Sequence, residues 1–253
     1  MRAFRAIAGT VAPMSRFHVG AVLDRVPSAR YFEGVSHLEL VLHGTPRTVT
    51  AKKIRASLPS GATLAVQLPS EIVRGARGTL RHEDDAPVAD LLVAIAALAP
   101  RFLVLVTGVE LTPGPRDREA LTAFAERLRQ AEAPPLVWQA GGPWEVEQAV
   151  RFAQRIGVVP AIDPLQPVPF EGPVAYTRVR AIGVHARLGD GTLARIAEAL
   201  LEIGAADTFV VLEAGEGPKR ARRLAQILAG ESAGDGEDES PPASDGDGGD
   251  DDE

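Results

Sequence analysis

Eight short apolar runs, each bounded by Gly, Pro or charged residues, recur along this chain and alternate with helical patterns. They cover residues 17–22, 37–42, 63–68, 102–106, 136–140, 158–163, 174–180 and 208–213, and each has the length and punctuation of a β-strand. The intervening segments read as helices of unequal strength. Residues 86–98 are rich in Ala and Leu, with Asp84 and Asp85 in front as capping candidates. Residues 116–130 set Leu121, Phe124 and Leu128 on one face, and residues 192–203 do the same with Leu193, Ile196, Leu200 and Ile203. Segments 143–155 and 218–228 each open on a proline at a plausible first helical position. Two early segments are weak: 28–32 holds no more than a turn, and 50–58 is short and basic. The connection 163–174 carries Pro164, Pro167, Pro169 and Pro173, which excludes a regular helix there. Strands alternating with crossovers dictate a parallel α/β fold. With eight units the expected solution is a TIM-like (β/α)8 barrel with some short or irregular crossovers, since an open doubly wound sheet usually uses fewer strands.

Composition divides the chain in two. Its 34 acids and 27 bases give a net charge of −7, yet 11 of the acids and none of the bases fall in residues 231–253. The other 230 residues hold 23 acids against 27 bases, a net of +4. The expected organisation is therefore one barrel domain over 1–230, mildly basic, and an acidic tail over 231–253. The tail is built of Gly, Ser, Pro, Asp and Glu without an aromatic residue, a composition that buries too little apolar area to order itself. It reads as a disordered, solubilising segment, with an interaction tail as the alternative. The chain has no cysteine, which removes disulfides, thiol nucleophiles and thiolate metal sites. No apolar run approaches the ~20 residues that span a bilayer, and residues 1–16 lack the apolar core of a signal peptide. A cytoplasmic protein without membrane contact is expected.

Period-two alternation says which side chains enter the barrel. Leu38, Leu40 and Leu42 share the face that packs on helices, so Glu39, together with His37, points inward. Tyr176, Arg178 and Arg180 share one face of the seventh strand and are expected inside. Gln67, Gln139, Asp163 and Glu213 fall near the C-terminal ends of their strands, where barrels build their sites. Buried arginines require counter-charges, and Glu39, Asp163 and Glu213 are the available ones. Two readings follow. In one, Tyr176, Arg178 and Arg180, with Gln67 and Glu213, bind a small anion, and Glu39 or Asp163 moves a proton. In the other, the same groups form a salt-bridge network that fills the barrel.

Other motifs carry less. The 215–220 segment after the last strand is a Gly-x-Gly turn that could cradle a phosphate, but Glu216 opposes an anion, and a tight turn explains it better. Gly141 to Trp144 invites the same two readings. His18, His37, His43, His82 and His185 form no ligand pair, so no metal centre is expected. No P-loop or Gly-x-Ser-x-Gly elbow is present, which argues against nucleotide or serine hydrolase chemistry, and no cofactor is expected. The basic residues of 47–55 and 219–223 have few aromatic companions, so solvated helix faces explain them more simply than a nucleic-acid surface.

The order of the strands resembles the YecE-like family (domain of unknown function 72). Val35-Ser-His-Leu-Glu-Leu resembles its Val-Glu-Ile-Asn strand, Thr63 to Pro69 its Phe-Ala-Val-Lys strand, and Val174 to Arg180 its Ala-Tyr-x-Arg-x-His-Gly strand. Residues 218–228 are similar to its Ala-rich closing helix, and the likeness spans about 17–229. The resemblance implies a TIM-like barrel with a pocket but no established reaction. It matches Glu39, Asp163, Trp144, Tyr176 and Arg178 to family positions. It also marks departures: Val41 replaces an Asn, Gln139, Ala140 and Gly141 replace Phe-Arg-His, Arg180 replaces a His, Ala181 a Gly, and Glu213 with Ala214 an Asn pair. The expected function is a divergent barrel with a degenerate pocket that binds a small anionic ligand without turnover. The alternative is a hydrolase or isomerase of a phosphorylated or carboxylated small molecule, with Glu39 or Asp163 as general base.

Overall fold

The computed structural model describes residues 15–74, 80, 86–166, 168–181 and 188–231. The acidic segment 232–253, Asp84, Asp85, Pro167, His82 and His185 lie outside these residues. Eight parallel strands close into a barrel in chain order. They are β1 (Arg16–Leu23), β2 (His37–Val41), β3 (Thr63–Gln67), β4 (Phe102–Val106), β5 (Leu136–Gln139), β6 (Val159–Ile162), β7 (Val174–Arg180) and β8 (Asp207–Glu213). Around them run α1 (Thr48–Ser57), a single turn α2 (Ser70–Val73), α3 (Ala86–Leu98), α4 (Pro115–Gln130), α5 (Val146–Arg155), α6 (Asp190–Glu202) and α7 (Gly217–Leu228). The TIM-like barrel read from the strand pattern is the fold observed. The β6–β7 connection has no helix among the described residues, as its prolines require.

The outward strand faces bury against the helices. Leu38, Leu40, Leu64, Val66, Leu103 and Leu105 belong to this outer core with Leu91, Leu121 and Leu193 of the helices. The lower half of the barrel interior is plugged by rings. Phe102 packs edge-on against Phe209 at 4.7 Å and Tyr176 at 5.5 Å, while His37 meets Phe209 at 5.2 Å. Above this aromatic floor the interior turns polar. The barrel is thus filled below and open for chemistry only near the C-terminal strand ends.

One closure device was not legible in the sequence. Residues 28–32 form the expected single turn, a 3₁₀ turn at Ala29–Phe32. From it Tyr31 inserts its hydroxyl between β1 and β2, accepting from the Ala21 N–H and donating to the His37 carbonyl, each at 2.8 Å. Burial pushes this phenol up to about 12, so it stays protonated and able to donate. Tyr31→Phe is expected to cost about 2 kcal/mol in chemical denaturation, because it leaves a buried amide and a buried carbonyl unpaired. A loss below about 0.5 kcal/mol would show that the two backbone groups find other partners.

Helix α5 starts later than its proline predicts. Gly141 and Gly142 press against the preceding β4–α4 connection: a Cβ on Gly141 would lie 2.3 Å from the Thr107 carbonyl oxygen, and one on Gly142 2.6 Å from the Val109 Cα. Trp144 then donates its indole N–H to the Leu111 carbonyl at 2.8 Å. These contacts hold 141–145 as a loop, so Pro143 is not a first helical residue and α5 opens at Val146. The glycine pair is explained by close packing rather than by a phosphate.

Candidate functional site

The inward positions of β2, β3, β5, β7 and β8 converge above the aromatic floor. Glu39 and Arg178 are both buried, and Arg178 Nη2 lies 2.8 Å from Glu39 Oε1. Tyr176 donates its hydroxyl proton to Glu39 Oε2 at 2.7 Å. Arg178 also donates to Gln67 Oε1 at 3.2 Å and to Gln139 Oε1. Glu213 Oε2 sits 3.5 Å from Arg178 Nη2 and 3.0 Å from Arg180 Nε, so it bridges the two arginines. The strand register makes this chain of contacts, with Arg178 opposite Val211 and Arg180 opposite Glu213.

Electrostatics follow depth. Desolvation holds the Glu39 carboxyl above its ordinary value, partly opposed by the Arg178 charge and the Tyr176 hydrogen bond. Burial, and then the Glu39 charge, push the Tyr176 phenol well above its usual range. His37 faces the same cluster from below: Nδ1 lies 2.8 Å from Thr63 Oγ1 and Nε2 3.4 Å from the Tyr176 hydroxyl. Complete burial, reinforced by nearby His18, lowers His37 to about 3, so it is neutral near pH 7.

The expected site residues thus separate by position. Glu39, Tyr176, Arg178, Gln67 and Glu213 come together, but Glu39 and Tyr176 are sealed beneath Arg178. Arg180 departs from the inward expectation: it keeps the parity of Arg178, but β7 ends there, and its side chain is 57% exposed at the mouth. Asp163 stands just past β6, half-buried, its Oδ1 accepting the Leu165 N–H at 3.0 Å. It joins no contact with Glu39 or Arg178. The 215–220 turn is tight, with the Gly217 N–H donating to the Ala214 carbonyl at 2.9 Å. Its Arg220 faces Asp190 at 3.3 Å and Glu216 at 3.5 Å rather than an open cradle. His43 is exposed, and no group of acidic or histidine side chains suited to a metal occurs among the described residues.

A cavity of about 240 Å³ opens beside this network. It straddles the short strand β6. Gln139, Arg178 and Arg180 line it from the barrel side, while Trp138, Ile162 and Val150 line it from the helix layer, with Asp163 at its edge. Trp138 meets Trp144 edge-on at 5.0 Å and donates to Thr107 Oγ1 at 3.0 Å, so this wall is rigid. Neither Trp138 nor Ile162 stands out in the sequence, and nothing in it shows that they border a cavity. His37, absent from the expected site, shares the parity of Glu39, and that signal could have added it to the network.

The chain shares the fold of a DUF72 family protein. A crystal structure of a DUF72 family protein from Enterococcus faecalis V583 superposes with a TM-score of 0.69 at 14% identity, covering 87% of this chain and 100% of that one. A second crystal structure of the same protein gives 0.66 at 15% identity over 84% of this chain and 95% of that one. At this identity the DUF72 likeness is one of fold. No protein-family model and no curated protein matches the sequence. No helix among the described residues is long and apolar enough to cross a membrane.

Proposed function

We propose that this chain is a divergent DUF72-like barrel that binds a small anion at its mouth without turning it over. The observation that carries the reading is the division of labour between the two arginines. Arg178 is committed to Glu39, Gln67 and Gln139. Arg180 spends only its Nε on Glu213, and among the described residues its two terminal nitrogens have no partner. That fork borders the 240 Å³ cavity and is suited to a carboxylate or phosphate. Arg178 borders the cavity and is held from beneath by Glu39, which Tyr176 holds in turn. The resemblance in strand order agrees, because the positions where it expects Arg-His and a further His carry Ala140, Gly141 and Arg180.

The enzymatic alternative rests on Asp163. Glu39 has the raised carboxyl typical of catalytic acids, but it does not border the cavity, whereas Asp163 does. Turnover of a phosphorylated or carboxylated compound that Asp163→Asn abolishes would replace the binding reading.

Thermal-shift measurement against acetate, 4-methylpentanoate and inorganic phosphate tests the proposal. A ligand at about a hundred times its Kd contributes about 3 kcal/mol, a rise of ~5–10 °C for a chain of this size. Arg180→Gln is expected to abolish that rise. No shift with any of the anions, or an equal shift in the variant, contradicts the reading.

A further inference from the structure

The mouth cavity carries an opposite charge that a simple anion would leave unanswered. Asp163 borders it, and only its Oδ1 is engaged, by the Leu165 N–H at 3.0 Å; among the described residues Oδ2 has no partner. The charges behind it are already matched, Arg178 with Glu39 at 2.8 Å and Arg180 Nε with Glu213 at 3.0 Å. A phosphate dianion or a bare carboxylate on Arg180 would therefore leave Asp163, which borders the same cavity, without a counter-charge.

One wall is apolar, while Gln139 and Gln166 add amide groups to the border elsewhere. Trp138, Ile162, Val150 and Ala149 line the side formed by β5, β6 and α5. A sugar hydroxyl placed there would lose its water without gaining a partner. The volume, about 240 Å³, falls below the usual range of pockets for larger organic ligands. The cavity thus presents a cationic fork, an open carboxylate oxygen and a small apolar wall. Val146, the first residue of α5, also borders it, which brings the positive end of that helix to the same side.

We infer that the cavity binds a free α-amino acid with an apolar side chain, its carboxylate on the Arg180 fork, its ammonium on Asp163 and its side chain against Trp138, Val150 and Ile162. The inference rests on the anion reading, since Arg180 supplies the carboxylate contact, and adds to it a second, opposite subsite. A zwitterion satisfies both open groups and leaves the net charge of the mouth unchanged.

Isothermal titration of the full chain with L-leucine, 4-methylpentanoate, 3-methylbutylamine and inorganic phosphate separates the two claims. L-leucine is expected to bind at least tenfold more tightly than 4-methylpentanoate, which lacks the ammonium, and than 3-methylbutylamine, which lacks the carboxylate. Asp163→Asn is expected to cost L-leucine at least tenfold and to tighten 4-methylpentanoate rather than weaken it, while Arg180→Gln weakens both acids. 4-Methylpentanoate or phosphate binding as tightly as L-leucine, with dependence on Arg180, overturns the amino-acid inference and keeps the anion reading. Binding of none of the acids and no phosphate overturns both. The comparison of ligands on the unaltered protein decides the matter even if a variant fails to fold.

Discussion

Arg178→Met is expected to destabilise the barrel by about 3–5 kcal/mol, because it strips the buried Glu39 of its counter-charge. Both side chains are almost fully withdrawn from solvent, so water cannot replace the lost partner. The variant also removes the donor that Gln67 and Gln139 share. The Tyr176 hydroxyl alone would then hold the carboxylate. The loss should be greatest near neutral pH and narrow on acidification, since protonating Glu39 removes the orphaned charge. The double variant Glu39→Leu with Arg178→Met tests the same idea from the other side. Replacing a whole buried ion pair by apolar groups of similar size is often neutral, so the pair should lose less than Arg178→Met alone, about 1–2 kcal/mol for the Tyr176 hydroxyl, which loses its 2.7 Å acceptor and keeps only the 3.4 Å contact with His37 Nε2. Urea denaturation of Arg178→Met, Glu39→Leu and the double variant reads these numbers. A nearly neutral single variant, or a double variant that falls by the sum of the single losses, would mean that the two charges are not energetically coupled.

The network tested in this way was partly legible in the sequence, and the reasons for success and failure are physical. Side chains alternate strictly along a strand, so parity alone puts Glu39, His37, Tyr176 and Arg178 inside once Leu38 and Leu40 are assigned to the helix layer. The strand count led to the closed barrel in the same manner. Parity gives a face but no depth. Arg180 has the parity of Arg178 and yet leaves the barrel, because β7 ends at that residue. Tertiary contacts were invisible for a different reason. The insertion of Tyr31 between β1 and β2 depends on a residue ten positions from its amide partner, and no periodicity encodes it. The late start of α5 depends on Trp144 reaching Leu111, 33 positions away. The cavity is harder still. It draws on residues of both parities around the end of β6, so a reading that assigns each face to one environment divides its lining between the barrel interior and the helix layer.

The second large effect concerns acid. His37 is wholly buried and held neutral, its folded value lowered to about 3 from an ordinary 6.5. For such a group the contribution to stability is fully present above the unfolded value and is lost as pH falls through the window from 6.5 towards 3. Each unit within that window removes about 1.4 kcal/mol, so about 3 kcal/mol is gone by pH 4. Glu39 works in the opposite sense. Its folded value lies above 4.5, so its contribution is present below 4.5 and lost as pH rises through the folded value. Wild-type stability alone mixes the two slopes; the difference between wild type and a His37 variant isolates one. His37→Phe retains a ring against Phe209 and Tyr176 but gives up the contact with Thr63 Oγ1, a loss of about 1 kcal/mol. Near pH 7 the variant should therefore be the less stable protein by about 1 kcal/mol. At pH 4 the order should reverse, with the variant ahead by about 2 kcal/mol, because it has no buried imidazole to charge. His18 stacks on the Phe209 ring that His37 also meets and is only the second cause of the lowered His37 value, after burial, so His18→Gln should leave the crossover in place and shift it only slightly. Parallel stability curves for wild type and His37→Phe between pH 7 and 4 would refute the account, since they would mean that the imidazole takes up its proton in the folded barrel as readily as in the unfolded chain.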